Sequence, residues 1–253
     1  MGQIYAHASF VCIWLGNSNE TFQQAMTMVQ NASDSSEEAW VAQNGGETRI
    51  AYPRMLSNLS RFFASPWFRR VWVVQEVWKA RKAIVSCGSD LVPWDMVITA
   101  NLWMLRAHGG GFAGQNVHTL PSIWMKLTSG KRAESNAVEI QGRNSDLELL
   151  DILLEGIELN ATDPRDKIYA LLGISKETQD ANAIPQALRS DYTKSTSDTF
   201  ADFTRWWITK HKSLNILSAI HASSGRTWQE LSCKADSNSQ QKSTRLNHPS
   251  WAL

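Results

Sequence analysis

Two short runs rich in β-branched and aromatic residues constrain this chain more than any other feature. Ser9-Phe10-Val11-Cys12-Ile13-Trp14-Leu15 is stopped by Gly16-Asn17, and Ala83-Ile84-Val85-Ser86-Cys87 is stopped by Gly88. Both read as buried strands. Between them, Ser65-Pro66 opens a segment that meets no helix breaker before Ala83. Ser65 suits the cap and Pro66 the first turn, so one helix is predicted from there to Ala80. Strand, helix and strand in this order predict an α/β layer.

The flanks extend that pattern. Ile4-Tyr5-Ala6 reads as a helix end feeding the first strand. Residues 18 to 30 predict a helix capped by Thr21, with Phe22, Ala25, Met26 and Val29 on one face, followed by a polar loop from Asn31 to Thr48. Pro93 to Arg106 predicts another helix. From His108 to Asn144 the periodicity weakens into a surface excursion with a helical piece near Ile123-Trp124. Helices return at Ser145–Leu159, with Leu147, Leu150, Leu154 and Ile157 on one face, at Asp163–Leu172, closed by Gly173, and at Ser197–His211. The polar stretch from Ser232 to Asn247 predicts disorder. The expected organisation is an α/β core over 1–106, an excursion over 107–144, a helical part over 145–220 and a polar tail over 221–253.

Charge excludes some partners. With 25 basic and 24 acidic side chains the net charge is +1, which gathers neither nucleic acid nor an anionic membrane. Cys12, Cys87 and Cys233 form no CxxC pair and have no histidine at ligand spacing, so neither a disulfide framework nor a metal site is expected. No apolar run approaches a membrane span and no signal-peptide pattern opens the chain, so a cytoplasmic location is expected. The 12 tryptophans predict packing and protein contacts.

Four constellations bear on chemistry. Gly109, Gly111 and Gly114 spell GxGxxG, but they follow a helical segment instead of a strand, so a loop is the preferred reading. His108-Gly109-Gly110-Gly111 has the form of an oxyanion loop, yet no GxSxG nucleophile elbow accompanies it. Asp163-Pro164-Arg165-Asp166 has the order of a helix start: cap, proline, then an acid at the third position. Trp72 and Glu76 stand at i and i+4 on the predicted helix, with Arg69 one turn earlier. A carboxylate held against an indole is partly desolvated and can be poised for acid/base or cation-stabilising work. The competing reading is a surface ion pair with Arg69, Arg70 or Lys79.

Four segments in order resemble the heterokaryon-incompatibility (HET) domain of filamentous fungi. They are Ile4-Tyr5 through Val11-Cys12-Ile13-Trp14-Leu15-Gly16; Trp67-Phe68-Arg69-Arg70-Val71-Trp72-Val73-Val74-Gln75-Glu76; Asp163-Pro164-Arg165-Asp166-Lys167 through Gly173; and Asp191-Tyr192 leading to Phe203. Two further patterns of that family, Tyr-x-x-Leu-Ser-Tyr-x-Trp-Gly and Trp-Ile-Asp-x-x-Cys-Ile-Asn-Gln, are absent, so the first strand-helix units are missing and an open sheet edge is expected. The resemblance implies a signalling module for heterokaryon incompatibility, self/non-self recognition and programmed cell death. Its implied partners are other proteins, through self-association or NLR-type partners, with no nucleic acid and no membrane span.

The HET family in turn resembles Toll/interleukin-receptor (TIR) domains, which implies a partial TIR/flavodoxin-like parallel sheet with a largely helical C-terminal half. Some TIR domains hydrolyse NAD with a helix glutamate four residues after a tryptophan. By that resemblance Glu76 would be the catalytic carboxylate and Trp72 a pocket wall, with NAD as a substrate and no resident cofactor. Arg69, Gln75, Asp163, Pro164, Arg165 and Asp166 are the remaining motif residues. The non-catalytic alternative makes the chain an interaction module with Glu76 paired to an arginine.

Overall fold

A computed structural model describes residues 2–17, 19–34, 48–109, 118–129, 146–180, 182 and 184–217. The chain divides into two units, Met1–Arg143 and Asn144–Leu253.

In the first unit, α1 (Gly2–His7) leads into β1 (Val11–Trp14). β2 (Ala83–Cys87) runs parallel to β1, and β3 (Asp90–Pro93) returns antiparallel to β2, giving the order β1-β2-β3. The sheet is therefore mixed, with one parallel pair. β3 is not foreseen by the sequence reading, and only its last residue, Pro93, falls in the helix predicted over Pro93–Arg106. A two-residue turn produces it: Gly88 sits at φ +60°, the first central position of the tight hairpin turns that match strand twist. Pro93 is tolerated at the end of β3 because an edge strand can spare an N–H.

Alternation splits the sheet into unlike faces. Val11, Ile13, Val85, Cys87 and Val92 are buried on one. On the other, Cys12 is exposed, Trp14 is 64% exposed and Leu91 is 56% exposed. α2 (Glu20–Asp34) and α5 (Trp94–Gly109) pack against the sheet, and α3 (Thr48–Phe63) packs against α2. The cap of α2 is Asn19, whose Oδ1 accepts from the Phe22 N–H at 3.0 Å, and not Thr21. Ala25, Met26 and Val29 are buried as their spacing predicts. The expected loop from Asn31 to Thr48 is shorter at both ends, and its middle lies outside the described residues.

The single helix predicted from Ser65 to Ala80 is two pieces. Pro66–Arg69 is a 3-10 turn, Arg70 is extended at φ −78° and ψ 132°, and α4 (Val71–Lys79) starts afresh; Ser65 makes no side-chain cap bond. The break lets each piece aim its apolar residues into the core separately, a tertiary demand that overrides local helix preference. Phe68, fully buried, lies 5.3 Å from Phe62, 6.0 Å from Phe63 and 6.2 Å from Trp94 between ring centroids. Trp124, on α6 (Ser122–Ser129), stacks edge-on to Trp94 at 4.8 Å and donates its indole N–H to the Phe68 carbonyl at 3.4 Å. Tryptophans thus serve packing where they are buried, as expected of large rings with one polar handle.

In the second unit the first two helices are shorter than predicted. α7 (Leu149–Glu155) buries Leu149, Leu150, Ile152 and Leu153, so the buried face is not the 147/150/154/157 stripe. The Glu177 carboxylate accepts from the Leu149 N–H at 3.0 Å and so closes the first turn of α7. α8 (Asp166–Tyr169) has one turn of helix where Asp163–Leu172 is predicted, with turns beyond it and Gly173 at φ +81°. Lys167 is buried and its ammonium donates to the carbonyls of Ile157 and Leu159, which anchors α8 to the end of the preceding turn. α9 (Thr196–His211) matches its prediction. Ser195 caps it by accepting from the Asp198 N–H at 3.0 Å, and Phe200, Phe203 and Trp207 form its buried face.

Thus the α/β class and the largely helical C-terminal half stand, with a mixed instead of parallel sheet. Among the described residues no helix is long and apolar enough to cross a membrane. Gly111, Gly114, Cys233 and the Ser232–Asn247 stretch lie outside the described residues.

Candidate functional site

Helix α4 turns Val71, Val73, Val74, Val77 and Trp78 inward. That leaves Trp72, Gln75 and Glu76 half-buried on its remaining surface, with Trp72 and Glu76 one turn apart. Because of the break at Arg70, Arg69 belongs to the preceding 3-10 turn and is not one helical turn below Trp72, as a continuous helix would have it.

Helix α1 packs against α4 and supplies what spacing could not show. Tyr5 on α1 is half-buried, and its phenol is close enough to Glu76 to feel that carboxylate's charge. Burial pushes the Tyr5 hydroxyl above the usual phenol range, and the charge of Glu76 pushes the same way, while Arg70 opposes them. A phenol, a guanidinium and a carboxylate therefore share one neighbourhood. Lys79, at the end of α4, has its ammonium pushed down by burial.

The other predicted constellation lies in the second unit and is built for holding chain segments together. Asp163 Oδ1 accepts from the Arg165 backbone N–H at 3.0 Å, an Asx-type turn ahead of α8, whose cap position is Arg165 and not the predicted Asp163. The Arg165 guanidinium grips Asp163 at 2.9 and 2.6 Å and donates to the carbonyls of Tyr192 at 2.8 Å and Lys194 at 2.6 Å. Arg165 holds the Asp163 carboxyl below the usual aspartate range. It also lies 5.2 Å from the Tyr192 ring centroid. The Tyr192 hydroxyl donates to Asp166 at 2.7 Å, and the Tyr169 hydroxyl donates to the Asp191 carbonyl at 3.2 Å. These bonds close within the chain and join residues 191–194 to the start of α8. Pro164 is half-buried there.

Among the described residues no group of three His, Cys, Asp or Glu side chains is placed to hold a metal ion. Sequence reasoning missed Tyr5 as a partner of Glu76. The one signal that could have found it is that both residues stand in the family-like segments quoted above.

The family model of the heterokaryon incompatibility protein (HET) matches residues 1–76. Over this stretch the chain is similar to HET. No curated protein and no solved structure matches the chain. The HET match covers α1, β1, α2, α3, the 3-10 turn and α4 as far as Glu76. Tyr5 and Glu76 both lie within the matched stretch. The Asp163–Gly173 and Asp191–Phe203 segments lie beyond the matched stretch.

Proposed function

We propose that the chain acts as a HET-type signalling module in fungal heterokaryon incompatibility, taking part in self/non-self recognition and programmed cell death in the cytoplasm, through contacts with other proteins. The observation that carries this reading is the HET match over residues 1–76. It is tested by inducible expression in a filamentous fungus. Death of the expressing compartments, lost when Phe68→Ala opens the aromatic core, supports it; growth unaffected by abundant chain speaks against it.

The α1–α4 geometry favours a second, enzymatic reading. Glu76 is half-buried on α4, against which α1 packs. In an NAD glycohydrolase the bond from nicotinamide to ribose C1′ breaks with both electrons leaving on nicotinamide, and water then adds to C1′. A carboxylate at Glu76 would orient the ribose hydroxyls and stabilise the cationic, oxocarbenium-like ring in between, with Trp72 as the pocket wall. NAD is a substrate in this reading, not a resident cofactor. Glu76→Gln keeps the size and removes the charge, so it should reduce NAD loss by purified chain about 100-fold or more. Equal NAD loss in both proteins would leave the non-catalytic interaction module in place.

A further inference from the structure

We propose that His211 and Glu177 form a proton-operated latch that ties the end of α9 to the start of α7 within the second unit. The latch goes beyond the proposed function and does not depend on Glu76.

The geometry begins with Glu177, whose side chain is 3% exposed. Its Oε2 accepts from the Leu149 N–H at 3.0 Å, while its Oε1 is buried without a hydrogen bond. His211 Nε2 is also buried without a hydrogen bond, and it lies 3.7 Å from that Oε1, within ion-pair reach. The imidazole is held in place by its ring face. It stacks on the buried Trp207 at 3.9 Å with 16° between planes, and the Trp207 indole N–H donates to Asn215 Oδ1 at 2.9 Å. A buried carboxylate oxygen left without a partner is costly. A proton on Nε2 turns the same pair into a charge-assisted contact.

The neighbouring charges are engaged elsewhere. Glu148 feels the charge of His211 but is bridged to Lys176 at 2.9 Å, and Lys176 in turn feels Glu177 and Asp151. The 3-10 turn Gln186–Leu188 packs against α9, and the adjacent Arg189 donates to the Ile184 carbonyl. On α9 itself Lys210 lies over the Trp206 ring at 5.1 Å, and Lys212 follows His211 at φ +52°.

The latch is complete while the imidazole carries its proton, and it loses its charge as pH rises through the ordinary histidine range, about 6.5. Its contribution to stability is therefore present below that range and lost above it.

The test is urea unfolding of the full chain, His211→Gln and Glu177→Gln at about pH 5.5 and about pH 8, on either side of the histidine range. The other histidines are common to all three proteins, so differences between them isolate the latch. Between the two pH values the unfolding constant of the unsubstituted chain should rise about 3- to 10-fold more than that of His211→Gln. Glu177→Gln keeps an oxygen for the Leu149 N–H and offers an amide N–H to a neutral imidazole, so in it this excess should vanish or change sign. Equal responses in the unsubstituted chain and His211→Gln overturn the latch, and an undiminished excess in Glu177→Gln overturns Glu177 as the partner.

A second measurement needs no variant. Amide exchange in the unsubstituted chain, corrected for intrinsic rates, should show local opening at the two tied ends. Protection of the Leu149 N–H, held by Glu177, and of the Lys212 N–H, held by the Ile208 carbonyl, should fall about 3- to 10-fold across the same window. The Thr199 N–H, held by the Ser195 carbonyl at the start of α9, should change less. Equal change at all three amides, or none, overturns the latch even where a variant fails to fold.

Discussion

Tyr192 is 52% exposed, yet its phenol is pushed up to about 12. Burial of part of the ring is the first cause, followed by the hydrogen bond to Asp166 and the charges of Asp166 and Asp163. A phenol whose folded value lies above its ordinary value of 10.0 binds its proton more tightly in the folded state. Its contribution to stability is therefore complete below pH 10 and is lost as pH rises towards about 12. Tyr192→Phe should flatten that alkaline loss, seen as a smaller drop in the urea midpoint across this window than in the unsubstituted chain. Equal drops would show that the hydroxyl's link to Asp166 does not survive in solution. At this scale the sequence was partly legible. Asp163 as a turn-former follows from local order, because its bond to the Arg165 N–H spans two residues. The hold of Arg165 on Tyr192 and Lys194 does not, because nothing local says which distant carbonyls a guanidinium will meet.

Short helices whose ends are set by tertiary packing are the recurring feature at the level of elements. α9 is long, capped by Ser195 and amphipathic, and its limits could be read from the chain. The Ser65–Ala80 segment could not. Its residues suit one helix, but Phe68 is drawn into a cluster with Phe62, Phe63 and Trp94, and the backbone extends at Arg70 before α4 begins. Phe68→Ala removes a fully buried ring from that cluster and should cost about 3–5 kcal/mol in urea-induced unfolding. A cost below about 1 kcal/mol would mean the neighbouring rings close the gap, as cores that relax fully do.

Taken whole, the first unit carries a sheet with one covered face and one bare face. Alternation puts Trp14 and Leu91 on the bare side, and β1 is an edge strand whose four residues, Val11-Cys12-Ile13-Trp14, include no charge and no proline. Natural edges usually carry such residues to discourage pairing with another chain. Concentration-dependent light scattering of the purified chain should fall in Trp14→Lys, which places a charge on this face. Undiminished scattering would locate the self-association elsewhere. The bare face was not foreseen, because parallel strands are ordinarily buried on both sides.

By itself the sequence determined the α/β class, the positions of β1 and β2, the long capped helix α9 and the HET character of the opening segments. These rest on local periodicity, on glycine and serine at element ends, and on motifs read in order. Only the tertiary structure decided that β3 exists, that the α4 region is broken, that α7 buries a different face, and that α1 packs against α4. Each of these depends on which side chains meet across distant segments, and packing free energy of several kcal/mol per buried ring overrides local preferences worth about 1 kcal/mol or less.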